Sequence, residues 1–141
     1  MNKEEIRKAL EGKGAVMEIG SPNDGYARFF TGRSWLANLS EDKDIPVYNV
    51  TFENGAHTHW HIHHGTSQVL IVVSGKGYLQ YEGQAPRQFH PGDVVTIPPE
   101  VKHWHGAVPG CHFQHISLSR DGEGVSNEWL EPVDEKGFEK L

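Results

Sequence analysis

The stretch His57-Thr58-His59-Trp60-His61-Ile62-His63-His64-Gly65-Thr66-Ser67-Gln68-Val69-Leu70-Ile71-Val72-Val73-Ser74-Gly75 decides the fold. Its first half alternates histidine with other residues, and successive side chains of a strand point to opposite faces. On a regular strand over residues 57–64, His57, His59, His61 and His63 share one face. Four aligned imidazoles need partners if they are buried, and their neighbours in the chain are mostly one another. A metal ion resolves this, because neutral imidazole is a good ligand. The plainer alternative is a solvated polar face. The second half, residues 68–74, is an apolar run of strand length that puts Gln68 on the same face as Leu70 and Val72. A glutamine at the start of such a strand ordinarily satisfies a backbone group. Its place five residues past His63 makes it a candidate ligand as well.

Working outward, strands recur about every ten residues, separated by turns. Residues 47–52 form one strand, and Glu53-Asn54-Gly55 turns the chain. Gly75-Lys76-Gly77 joins residues 68–74 to a hairpin partner over residues 78–82. Phe89 leads into the turn His90-Pro91-Gly92-Asp93. Strands over residues 94–97, 101–108 and 111–118 follow. The pattern predicts an all-β sandwich or barrel rather than an alternating α/β fold. A short helix is expected over residues 2–11, with Asn2 as cap, Glu5 three residues later, and Ile6, Ala9 and Leu10 as an apolar stripe. Phe29, Phe30 and Trp35 are expected to cover one end of the barrel. The chain reads as a single domain, with an N-terminal arm over residues 1–45, a barrel core over residues 46–120 and a tail over residues 121–141. Trp129, Leu130 and Phe138 give that tail apolar residues with which to fold back.

Composition narrows the function classes. The chain has 141 residues, a net charge of −6, 16 glycines and 8 prolines. An acidic chain without a Lys/Arg cluster is a poor partner for nucleic acid or an anionic membrane surface. No run approaches the roughly 18 apolar residues of a membrane span, and no signal peptide is visible, so a cytoplasmic location is expected. Cys111 is the only cysteine, which excludes an internal disulfide and a thiolate cluster. All ten histidines lie between His57 and His115, among strand-forming residues.

A second constellation is Pro98-Pro99-Glu100-Val101-Lys102-His103-Trp104-His105-Gly106. His103 and His105 share a strand face and Trp104 points away, so one histidine can be a ligand and the other its neighbour. His115 shares a face with Phe113 and Ser117; a lone histidine in a strand is more often structural than functional.

These residues carry a resemblance to the cupin superfamily. Its first motif is matched by Gly55, His61, His63 and Gly75, with Gln68 in the place of a glutamate. Its second is matched by Gly92, Pro98 and His103, with Glu100 in place of a glycine and Ala107 in place of an asparagine. The resemblance implies a jelly-roll double-stranded β-helix barrel. More narrowly, Trp60-His61-x-His63, Gln68, the Lys102–Gly106 run and His115 are similar to small bacterial cupins with manganese-dependent hydroxynitrile lyase activity. That likeness implies metal binding by His61, His63, Gln68 and His103, with His105 and His115 as catalytic residues lining the site. This chain has one more residue between His63 and Gln68, and extra histidines at His57, His59 and His64.

Three imidazoles and an amide form a neutral ligand set that leaves a divalent ion its full charge, and residues 55–81 contain no carboxylate. The resemblance implies manganese as the ion, while the donors themselves suit manganese, iron, nickel, cobalt and zinc alike. His105 lies about 6.6–6.8 Å from His103 by backbone rise, a spacing suited to a base rather than an adjacent ligand. The leading expectation is a lyase on a small oxygen-bearing substrate, breaking a carbon–carbon bond next to a hydroxyl or carbonyl. An iron-dependent dioxygenase, a non-catalytic metal or small-molecule binder and a plain dimerisation scaffold are the alternatives. A homodimer is expected, because an open sheet edge must be covered.

Overall fold

The computed structural model describes Asn2, Glu5 and residues 14–141. The first strands are β1 (Ser21–Pro22), β2 (Phe30–Thr31), β3 (Ser34–Asn38), β4 (Val47–Phe52), β5 (His57–Thr58) and β6 (His61–His64). They are followed by β7 (Gln68–Gly75), β8 (Gly77–Tyr81), β9 (Arg87–Phe89), β10 (Val94–Ile97) and β11 (His103–Ala107). Then come β12 (Phe113–Ser119), β13 (Ser126–Trp129) and the helix α1 (Glu135–Glu139). One sheet runs β1-β3-β4-β12-β7-β10. The other runs β13-β6-β11-β5-β2, with β8 also on β11 and β9 on β8. Every pairing is antiparallel. The fold is the expected all-β jelly roll.

The two-residue period of the strands builds the core. Along β7, Gln68, Leu70 and Val72 are buried, while Val69, Ile71 and Val73 are only half-buried. Leu70 and Val72 join Val50, Phe52, Leu79, Ile97 and Phe113 in one apolar cluster between the sheets. Each such side chain contributes about 1.5–3 kcal/mol when taken out of water. Gly77 is required where it stands, since a Cβ there would lie 2.4 Å from the Phe113 ring.

The strand expected over residues 57–64 is broken, and the break has a cause. His57 pairs with Gly106, and His61 pairs with His103. Between those pairs the chain advances four residues on one side and three on the other. The extra residue is a β-bulge, and it inverts which face the following side chains occupy. His59 N–H turns to Phe29 O at 2.8 Å, and Trp60 exchanges backbone hydrogen bonds with Leu130 and Glu131 at 2.8 and 3.0 Å. The four histidines therefore do not share a face. His57 goes to the outer side of its sheet, stacked on Phe138 with ring centroids 4.0 Å apart.

The ends of the chain also depart from expectation. The helix expected over residues 2–11 lies outside the described residues except at Asn2 and Glu5, where Asn2 Oδ1 accepts from the Glu5 N–H at 2.9 Å. A helix not anticipated closes the chain: Asp134 caps α1, accepting from the Gly137 N–H at 3.3 Å. This helix buries Phe138 beside Trp104, Tyr78 and Val133 on the outer face of the second sheet. The N-terminal arm is woven into the barrel, with β3 on β4 and β2 on β5. Earlier in the arm, Met17 and Glu18 lie on the outer face of the first sheet, where Asn49 Nδ2 donates to Glu18 O at 2.7 Å and Gln114 Nε2 to Met17 O at 3.2 Å.

Glu100 occupies the left-handed region with φ 68°, a conformation that costs a non-glycine residue on the order of 1 kcal/mol. Its backbone N–H donates to His63 O at 2.9 Å, and its carboxylate meets His64 Nδ1. Those two contacts hold the turn that delivers β11 to β6.

Candidate metal centre

The register of β6 against β11 places His61 opposite His103. Opposed side chains on one face stand close, and these two imidazole centroids are 4.2 Å apart. His63, two residues along β6, is 5.0 Å from His61 and 5.1 Å from His103. His105, two residues along β11, is 5.4 Å from His61 and 5.9 Å from His103. The facing sheet supplies two more residues. Gln68 on β7 brings Oε1 to 2.8 Å from His63 Nε2. His115 on β12 brings Nε2 to 3.2 Å from His105 Nδ1. All six residues singled out in the sequence thus converge on one place.

The first three imidazoles share a hydrogen-bonding device. His61 Nδ1–H donates to His59 O at 2.9 Å, and His103 Nδ1–H donates to Val101 O at 2.8 Å. A carbonyl oxygen can only accept, so the hydrogen sits on Nδ1 and the lone pair on Nε2. His63 Nδ1–H donates in the same way to Asn127 Oδ1 at 2.8 Å. His103 Nε2 is buried with no hydrogen-bond partner among the described residues, and His103 has 0% exposed surface. Gln68 Nε2 donates to Ser117 Oγ at 2.8 Å, which turns Oε1 toward His63. His63 Nε2 and Gln68 Oε1 then face each other as two lone-pair atoms. Such a contact repels unless a cation or a proton is shared between them.

Burial disfavours the proton. It holds His61 and His105 well below the ordinary histidine pKa, and the neighbouring imidazoles press in the same direction. His103 and His115 are pulled down to about 4, again by burial first. His63 is lowered by burial against the opposing hydrogen bonds of Asn127 and Gln68. A cluster of neutral imidazoles with one orphaned Nε2 fits a divalent cation. The ring nitrogens of His61, His103 and His105 alone, all within 4.8 Å of one another, could hold one. Side-chain reach has closed the backbone spacing of His103 and His105, so that spacing does not by itself keep His105 from being a ligand.

A cavity of about 300 Å³ opens onto this cluster and is lined by His61, His63, Gln68, His105 and His115. Tyr26, Phe30, Tyr48 and Trp129 add aromatic surface to it. Asp121 is the one carboxylate among the described lining residues, and it is exposed. The remaining histidines of the motif region stand outside the cluster. His57 is in the outer apolar layer. His64 lies between the carboxylates of Glu128 and Glu100, which raise its pKa. Sequence reasoning missed Asn127 and Trp129, whose only local signal is a four-residue alternation in Ser126-Asn127-Glu128-Trp129.

A cupin-domain family model matches residues 48–110. An (R)-mandelonitrile lyase from Granulicella tundricola is 37% identical over 130 residues, covering 89% of this chain and 98% of that protein. The chain belongs to the cupin family. The solved structure of a cupin-like protein from Thermotoga maritima is 43% identical to this cupin, with a TM-score of 0.80 over 89% of this chain and 96% of the other. A DMSP lyase from Ruegeria pomeroyi shares the fold at 20% identity, with a TM-score of 0.59 over 92% of this chain and 66% of that one. In this cupin the family match spans β4 to β11. His115, Asn127 and Trp129 reach the site from beyond it.

Proposed function

We propose that this cupin is a metal-dependent lyase of the hydroxynitrile type, holding one divalent ion through His61, His63, Gln68 and His103. The observation that carries this is the set of three imidazoles whose Nδ1–H groups are committed to oxygen acceptors, with His103 Nε2 buried and unpartnered. The similarity to an (R)-mandelonitrile lyase supports the reaction class. Manganese is the ion favoured by the resemblance, and the donors alone suit several.

When bound, the ion supplies Lewis acidity toward a substrate oxygen, undiminished by any carboxylate ligand. The chain supplies the rest. Cleaving a cyanohydrin removes the hydroxyl proton and breaks the bond to the cyanide carbon, whose electron pair leaves with cyanide. The carbonyl forms, and the proton ends on cyanide. His105 is the base, unprotonated at neutral pH because burial depresses its pKa. His105 Nδ1 and His115 Nε2 lie 3.2 Å apart. In the tautomer in which His105 donates to His115, His105 presents its Nε2 lone pair to the substrate and later returns the proton to cyanide. Tyr26, Phe30, Tyr48 and Trp129 hold the hydrocarbon body of the substrate.

Cyanide release from mandelonitrile is the test. Activity that disappears with a chelator and returns with manganese supports the proposal. No release above background from protein carrying one equivalent of metal contradicts it.

One observation favours a second ligand set: His61, His103 and His105 form a compact triad. In that case His115 is the base. Loss of bound metal in His105→Ala with retention in His63→Ala identifies this arrangement.

A further inference from the structure

We infer that β13, an edge strand outside the matched cupin region, is a positioning element for the metal centre, with Asn127 as the residue that orients His63. This rests on the metal-site reading above. β13 pairs with β6 so that Asn127 stands opposite His63 and Trp129 opposite His61. Both side chains reach the cavity. Ser126 and Glu128 alternate to the other side, where Glu128 meets His64 at 2.8 Å.

The two contacts do different work. Asn127 Oδ1 accepts from His63 Nδ1–H at 2.8 Å, which assigns the hydrogen to Nδ1 and leaves Nε2 as the donor atom toward Gln68. His61 and His103 obtain the same service from carbonyls two residues earlier in the chain, just before their strands begin. His63 makes no such backbone contact and takes its acceptor from a side chain 64 residues away. Trp129 stacks on the His61 ring with centroids 4.6 Å apart and planes 29° apart. Trp129 also stacks on Phe29, at 4.7 Å and 2°. The indole thereby links the His61 ring to the N-terminal arm. A partner that sets a ligand's tautomer and tilt typically changes metal affinity by 10- to 100-fold when removed.

Asn127 is exposed enough that its replacement does not threaten the core. The experiment uses metal-free full-length protein with ¹⁵N-labelled histidine, and Mn²⁺ as the probe ligand. In the wild type the His63 ring is expected as the Nδ1–H tautomer. Asn127→Leu should lose that preference and weaken Mn²⁺ binding by roughly 10- to 100-fold, with thermal unfolding of the metal-free protein nearly unchanged. Asn127→Asp keeps an acceptor and should restore both the tautomer and the affinity, which a merely structural role would not require. An unchanged His63 tautomer in Asn127→Leu overturns the inference, whatever the metal does. A changed tautomer in a protein that binds no Mn²⁺ supports the positioning of His63 and overturns the metal-site reading instead.

Discussion

His57 and His61 lie four residues apart in one histidine-rich run, yet they end on opposite faces of the same sheet. Their local geometry is alike. Each donates from Nδ1–H to the carbonyl two residues earlier, at 2.9 Å in both cases. Each has its ring buried. What differs is the other side of the ring. His57 meets Phe138 and Trp104, and its Nε2 is orphaned in an apolar layer. His61 meets His63, His103 and His105. The same short-range device therefore serves a packing histidine and a candidate ligand. The bulge between them, not the residue type, decides which is which.

The largest effect expected on the inner face concerns chemistry. His105→Ala should retain bound metal and lose turnover by about 10²–10⁴-fold, the scale of a missing general base. Metal content and cyanide release measured on the same preparation check this. Equal turnover in variant and wild type would move the proton-transfer role to His115.

Acid should act next most strongly, through the buried imidazoles. The folded chain holds His103 and His115 near 4, whereas the unfolded chain has them near the ordinary 6.5. Between those values the unfolded state binds the extra protons. Stability is therefore full above about pH 6.5 and falls as pH drops toward about 4. Each of the two histidines contributes a loss on the order of 3 kcal/mol. Denaturant unfolding of metal-free protein at about pH 7.5 and about pH 4.5 measures it. His57→Gln should keep most of the fall, since the inner cluster carries it. A flat profile would mean these rings are already protonated or solvated in the folded state.

On the outer face the expected effect is smaller and confined to stability. Phe138→Ala should cost about 3 kcal/mol by opening the layer over Trp104. Mn²⁺ affinity should be unchanged within error, because Phe138 touches His57 and not the inner ring cluster. A parallel loss of Mn²⁺ affinity would show that the two faces are coupled through β11.

How much of this was legible follows from where each signal resides. The strands β4, β7 and β10 can be read from their own residues, because the two-residue alternation of β4 and the short β-branched apolar runs of β7 and β10 between turns are local signals. His61, His63, Gln68 and His103 are legible through their match to the cupin motifs, and the convergence of the three histidines follows once β6 and β11 pair. The bulge is not legible, because it exists only in the register of β5 and β6 against β11. The face assignment of His57 fails for that reason alone. β13 is short, polar and at an edge, so nothing in Ser126–Trp129 announces that Asn127 will meet a ring 64 residues earlier. The helix α1 is five residues long, and its cap at Asp134 and its anchor at Phe138 gain meaning only over the Trp104 surface they cover.

Metal stoichiometry in three tag-free proteins tests the central claim most directly: wild type, His103→Ala and His57→Ala, each loaded with Mn²⁺, desalted and analysed for metal. One equivalent in the wild type, almost none in His103→Ala and one in His57→Ala is the predicted result. Retention of metal by His103→Ala, or its loss from His57→Ala alone, would contradict the division of the sheet into a metal-binding face and a packing face.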